Sequence, residues 1–229
     1  MKKIIEQSAN KLFDLGSEYD NISSKKSRLL FPTQEQPQKG KMKRVSEQEL
    51  RQCFVEVAKK SDYLYSVETP TIYKYKKTGS KEISGNLDMC LYSIENEKIT
   101  RKVCIEFKAH NMNSSYYFDL YKATREPGNN LYYHLLGSLN NGTLTASSEN
   151  RRGLLVKLQE DLQSLDTSSI HSESLTIAVV CLSPRLLICQ TIAKKSLINR
   201  SYNLIDFDYQ IKGKQLERIS SKNWSVLIQ

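Results

Sequence analysis

Three histidines, one tryptophan and five prolines in 229 residues leave this chain poor in several kinds of chemistry. No histidine or cysteine pair stands at zinc-ligand spacing, and the five cysteines (Cys53, Cys90, Cys104, Cys181 and Cys189) include no Cys-x-x-Cys, so zinc-ribbon and thioredoxin-type sites are excluded. His134 and His171 lack acidic or cysteine partners at a useful spacing, and His110 carries no assignment. The cysteines sit inside apolar runs, where reduced, buried thiols are expected. No apolar run approaches the ~20 residues of a membrane span; the longest, 175–193, is broken by Ser183-Pro184-Arg185. The opening Met1-Lys2-Lys3-Ile4-Ile5-Glu6 turns charged at once, which argues against a signal peptide and makes the cytoplasm the expected location. Internal repeats and low-complexity tracts are missing too.

Basic charge, by contrast, is plentiful. The formal net charge is +9, from 34 lysines and arginines against 25 acids. Such an excess favours a polyanionic partner. Lys25, Lys26, Arg28, Lys39, Lys41, Lys43 and Arg44 crowd into one segment with Glu35 as the lone acid; Arg151-Arg152 and Lys194-Lys195 with Arg200 form smaller groups.

Apolar spacing then divides the chain. Ile5, Ala9, Leu12 and Phe13 predict an amphipathic helix over residues 1–20. Residues 21–45, with Pro32, Pro37 and Gly40 among polar residues, read as a linker or mobile arm able to track phosphates. Ser46 and Glu49 form a capping box opening a second helix with Leu50, Cys53, Phe54 and Val57 on its buried stripe. Residues 63–67 and 71–75 suit two strands separated by Thr69-Pro70. A helix capped by Ser114 and Ser115 follows through Tyr117, Leu120 and Tyr121 to Glu126, ended by Pro127-Gly128. A short helix at 131–139 and a longer one at 151–165 are expected next. Residues 175–182 and 186–192 suit buried strands. A strand at 203–211, turning at Lys212-Gly213-Lys214, is expected to pair with one at 224–228. This order predicts an α/β protein with a mixed central sheet flanked by helices.

The sharpest signal is Val103-Cys104-Ile105-Glu106-Phe107-Lys108-Ala109. Period-two alternation puts Val103, Ile105 and Phe107 on one strand face and Cys104, Glu106 and Lys108 on the other. Upstream, Leu87, Met89 and Leu91 alternate against Asp88. A hairpin turning near Glu97 sets Leu87 opposite Phe107, Asp88 opposite Glu106 and Cys90 opposite Cys104. Directly opposed carboxylates repel unless a cation or proton lies between them. Hard oxygen ligands point to Mg²⁺, with Mn²⁺ as the alternative.

An acid on one strand and Glu-x-Lys on the next resembles the PD-(D/E)XK nuclease superfamily, with its restriction-endonuclease-like core of helix, three strands, helix and strand. Leu87 stands where that pattern has proline, and no Q-x-x-x-Y follows. The resemblance implies residues 1–45 as an N-terminal helix and basic linker, and 46–229 as the nuclease-like domain. It implies a Mg²⁺-dependent phosphodiesterase in which Asp88, Glu106 and the Phe107 carbonyl ligate the metal and Lys108 orients water or offsets charge. Glu47 suits the additional helix glutamate by its angular position, with Glu49 as the alternative. Lys122 and Arg125 are candidates for phosphate contact, as are Lys41, Lys43 and Arg44; an ordinary Asp119–Lys122 ion pair is the bland alternative for that helix. The partner expected is nucleic acid, above all DNA, and two simultaneous strand cuts would call for a homodimer. A non-catalytic binding module on the same scaffold is the second class.

Overall fold

A computed structural model describes residues 1–21, 23, 25–37, 40–76, 82–109, 115–148 and 151–228. Lys39, His110 and Ser114 lie outside these residues. The order opens with helix α1 (Lys2–Asp20), then strands β1 (Thr33–Gln36) and β2 (Gly40–Lys43), and helix α2 (Glu47–Ala58). Three long strands follow, β3 (Leu64–Lys76), β4 (Glu82–Glu95) and β5 (Lys98–Ala109), then helix α3 (Tyr117–Arg125) and strand β6 (Asn129–Leu136). The remainder is β7 (Ser147–Ser148), β8 (Arg151–Arg152), α4 (Leu154–Gln163), β9 (Ser174–Cys181), β10 (Leu186–Ala193), α5 (Lys194–Ile198), β11 (Asp208–Lys212), β12 (Gln215–Ser220) and β13 (Ser225–Ile228).

The central sheet has seven strands in the order β13-β10-β9-β6-β5-β4-β3. Its β5/β6 and β6/β9 pairs are parallel and the others antiparallel, so the sheet is mixed. Odd-numbered residues of β5 (Val103, Ile105, Phe107) pack with α1 and α2 in one core. On the other face, Tyr132, Ile177 and Ile188 pack with Leu120 of α3 and Leu155 and Leu158 of α4. Helices thus cover both faces, the arrangement that a partly parallel sheet needs to bury its strands. No helix of the described residues is long and apolar enough to cross a membrane.

The β4–β5 hairpin forms with Cys90 opposite Cys104 and Met89 opposite Ile105 as the alternation predicts, but the ladder ends there, and the expected pairs Asp88–Glu106 and Leu87–Phe107 are not part of it. Its two-residue turn is Asn96-Glu97, both at positive φ (+49° and +64°), the backbone that matches strand twist in tight hairpins. A register shift between Leu91 and Tyr92 converts this turn's pairing into the one at Cys90. The Cys90 and Cys104 thiols lie 3.8 Å apart and unbridged; Leu87 packs with them rather than with Met89.

Several expectations are corrected. Residues 129–136 are a strand, not a helix: β6 sits between β5 and β9, is buried on both faces, and so shows no alternation. The stretch 64–76 is a single strand with an irregularity between Pro70 and Lys74 and Glu68 at φ +49°. β13 pairs with β10 in the main sheet, whereas β11 pairs with β12. The helix after Arg151 starts three residues later than expected, because Arg151-Arg152 pair with Ser147-Ser148. The segment read as a linker carries the β1–β2 hairpin, and its ends Phe31 and Val45 are buried in the same core as α1 and the sheet.

The turn from α3 into β6 leaves no room for side chains. Gly128 has φ +113°, and a Cβ there would lie 2.5 Å from the Lys102 carbonyl oxygen. Gly128→Ala is therefore expected to lower the unfolding free energy by at least about 1–3 kcal/mol, the scale of backbone strain. Urea denaturation checks it, and an unchanged midpoint would contradict the packing described.

Candidate active site

The site grows from three neighbouring elements. β4 supplies Asp88, β5 supplies Glu106 and Lys108, and α3 supplies Asp119 and Lys122 one helical turn apart. The capping box of α2 forms as expected: the Glu49 carboxylate accepts from the Ser46 amide at 3.0 Å and from the Ser46 hydroxyl at 2.5 Å. That engagement removes Glu49 from the site. Glu47, in the first turn of α2, instead reaches Lys108, with Oε1 3.6 Å from Nζ.

Charges alternate through the cluster. Lys108 Nζ lies 3.2 Å from Asp119 Oδ2; Lys122 Nζ lies 3.8 Å from Asp119 Oδ1 and 2.7 Å from Glu106 Oε1. Lys122 also donates to the Asn86 carbonyl at 2.9 Å, which ties α3 to β4. Asp88 Oδ2 accepts the Phe107 amide at 2.7 Å, a bond that takes the place of ladder pairing just beyond Met89↔Ile105. Four carboxylates face two ammonium groups, a surplus of two negative charges when all are ionised.

Burial sets the electrostatics. Glu106 is 1% exposed, and loss of water pushes its carboxyl well above the ordinary range; Lys122 opposes this and Asp88 and Asp119 add to it. Desolvation likewise raises Asp88 and Glu47, against the pull of the Phe107 amide and of Lys108 respectively. Burial works against the Lys108 ammonium, but Asp119 and Glu47 outweigh it, and its pKa goes up. Tyr132, opposite Glu106 in the sheet, is fully buried and raised by the same loss of water.

No family model, curated protein or solved structure matches the chain. The site is therefore argued from its own chemistry. Among the described residues, no group of three or more His, Cys, Asp or Glu side chains is gathered as a metal cage. The donor types nevertheless fit a hard divalent cation: Asp88 and Glu106 on adjacent strands, with the Phe107 carbonyl next to Glu106 in sequence. Glu106 Oε1 is buried, and the Lys122 ammonium lies 2.7 Å from it.

The other sequence candidates lie apart from this cluster in their contacts. Arg125 points its guanidinium over the rings of Tyr73, Tyr75 and Tyr121 and donates to the Tyr121 hydroxyl at 2.6 Å. Lys43 turns to α1, where it donates to the Gly16 carbonyl at 3.3 Å, and Lys41 pairs loosely with Glu35 at 3.8 Å. The Arg44 amide donates to the Pro32 carbonyl. Asp119 was legible only as a helix partner of Lys122; its contact with Lys108 depends on how α3 crosses the sheet. Glu126 gave no sequence signal. It is fully buried, accepts from the Ile72 and Tyr73 amides and the Tyr75 hydroxyl, and pairs with Arg101 at 3.0 Å, holding the irregular part of β3.

Raised carboxyl pKa values fix the sign of a pH effect. Folded Glu106, Asp88 and Glu47 hold protons that the unfolded chain releases near the ordinary value of 4.5 for glutamate and 3.8 for aspartate. Their contribution is complete below those values and lost as pH rises through the raised ones. Metal-free protein is thus expected to melt at a lower temperature at pH 8 than at pH 5.5. Glu106→Gln should raise the pH 8 midpoint, by about 2–4 °C for each kcal/mol recovered, and flatten the profile. Calorimetry across that range checks this; identical slopes for wild type and variant would refute it.

Proposed function

We propose that this protein is a Mg²⁺-dependent nuclease of the PD-(D/E)XK kind, hydrolysing phosphodiester bonds of DNA. The observation that carries the reading is the Asp88–Glu106–Lys108 set on adjacent strands, with Glu106 buried beside the Lys122 ammonium. The element order α2-β3-β4-β5-α3-β6 supports it, as does the arrival of Glu47 at Lys108 from the first of those helices. With all four carboxyls ionised, the surplus of two negative charges would suit one divalent cation.

Asp88, Glu106 and the Phe107 carbonyl would hold the ion, with Mn²⁺ as a substitute. Bound there, Mg²⁺ supplies Lewis acidity toward water and a phosphate oxygen. Asp88 is held for this role by the Phe107 amide, which donates to its Oδ2 at 2.7 Å. Lys108, braced by Asp119 and Glu47, presents a compact positive charge for orienting water or offsetting charge on the phosphate. Lys122 is positioned to exchange its contact with Glu106 for a phosphate oxygen once that carboxylate has another partner. The five unbridged cysteines fit a reducing compartment such as the cytoplasm.

A non-catalytic binding module is the competing reading, and mutation separates the two. Mg²⁺-dependent cutting of a DNA and RNA panel is expected for the wild type and is expected to fall by at least two orders of magnitude in Glu106→Ala and Lys108→Ala. Glu49→Ala should cost about 1 kcal/mol of stability through the lost cap while retaining cleavage. Cleavage equal to wild type in Glu106→Ala would exclude the nuclease reading.

A further inference from the structure

The basic segment that precedes α2 has a built form. β1 and β2 pair antiparallel as a two-stranded ribbon, Thr33 opposite Lys43, Gln34 opposite Met42 and Glu35 opposite Lys41. One face is pinned to α1. The Thr33 hydroxyl lies 3.2 Å from the Tyr19 hydroxyl, and the Lys43 ammonium lies over the Tyr19 and Phe31 rings and 3.5 Å from Asp20. Side chains alternate along a strand, so Gln34 and Met42 turn to the opposite face, and both are exposed. Lys41 and Arg44 are exposed at its margin, as are Lys26 and Arg28 in the chain leading to it. Glu35 is the one acid there, and its contact with Lys41 is loose and solvated.

We propose that this ribbon enters the major groove of double-stranded B-form DNA, where Gln34 and Met42 read base edges while Lys41 and Arg44 contact the flanking phosphates. The inference rests on the nuclease reading and names the form of its substrate. A two-stranded ribbon, with strands about 4.8 Å apart, fits a groove about 12 Å wide. Glutamine can make paired hydrogen bonds to adenine, and an apolar side chain suits the thymine methyl group. The major groove of duplex RNA is too narrow and deep for such an element. One glutamine and one methionine present too little apolar surface for a protein interface, whereas the surrounding charge complements a phosphate backbone.

Position supports the same partner. Only Lys43, Arg44, Val45 and Ser46 separate Met42 from Glu47, which touches Lys108. Five residue steps span at most roughly 17 Å, about half a helical turn of the duplex. A ribbon seated in the groove therefore lies within reach of a phosphate at the carboxylate cluster.

The test is binding of the full chain, in EDTA so that nothing is cut, to duplex DNA with a randomised core, to single-stranded DNA and to duplex RNA. The wild type is expected to prefer duplex DNA, to be displaced by the major-groove ligand methyl green rather than by the minor-groove ligand distamycin, and to select a base preference. Gln34→Ala should flatten that preference at an A·T position by about tenfold, with an unchanged melting temperature. Lys41→Gln with Arg44→Gln should weaken all duplexes alike and reduce the salt slope by about two. No duplex binding, preference for single strands or RNA, or ribbon variants that select and bind as wild type does would overturn the inference. Cleavage measured separately with Glu106→Ala decides the nuclease reading, so ribbon-independent binding beside Glu106-dependent cutting would remove this inference alone.

Discussion

The burial of one carboxylate governs this structure. Glu106 is nearly inaccessible in the middle of a seven-stranded sheet, and removing a carboxylate from water costs several kcal/mol unless a partner or a proton compensates, on the order seen for buried ions generally. The compensation comes from α3, through Lys122 at 2.7 Å. The position of α3 is therefore an electrostatic requirement as well as a packing solution. Asp119 follows from it, since the same helix face that brings Lys122 to Glu106 brings Asp119 to Lys108.

Two buried polar residues hold that helix in place. Asn130, at the start of β6, donates to the Ala123 and Glu126 carbonyls at the end of α3 and accepts the Cys104 amide of β5. One side chain thereby satisfies carbonyls that a helix end leaves open and locks the helix to the strand that carries Glu106. Glu126 does the same on the other side by gathering the amides of β3 where its pairing is irregular. Alignment of the cluster thus rests on groups that take no part in its chemistry.

Legibility in the sequence followed the physics. Period-two alternation exposed β4 and β5 because their edges meet different environments on the two faces, and the capping box exposed the start of α2 because it is local. β6 was misread because burial on both faces erases alternation, leaving an apolar run that suits a helix equally well. The pairing of β13 with β10 joins elements distant along the chain and has no local signature. In the cluster, Asp88, Glu106 and Lys108 were visible from strand parity, and Glu47 from its angle on α2. The inward turn of Asp119, the diversion of Arg125 onto tyrosine rings and the role of Glu126 all depend on tertiary placement that spacing does not encode. The ribbon at 33–43 was hidden because its polar composition resembles that of a linker.

The two-residue turn at Asn96-Glu97 bears on how the molecule assembles. A tight antiparallel hairpin needs little loop closure, whereas a parallel pair such as β5/β6 must wait for a crossover through α3. The hairpin that carries Asp88 and Glu106 thus closes through a local turn, whereas Lys122 comes to Glu106 through the crossover. The acidic strands are joined by short-range pairing and their ammonium partner by long-range packing, so acidity is expected to act on the folding rate as well as on the finished cluster.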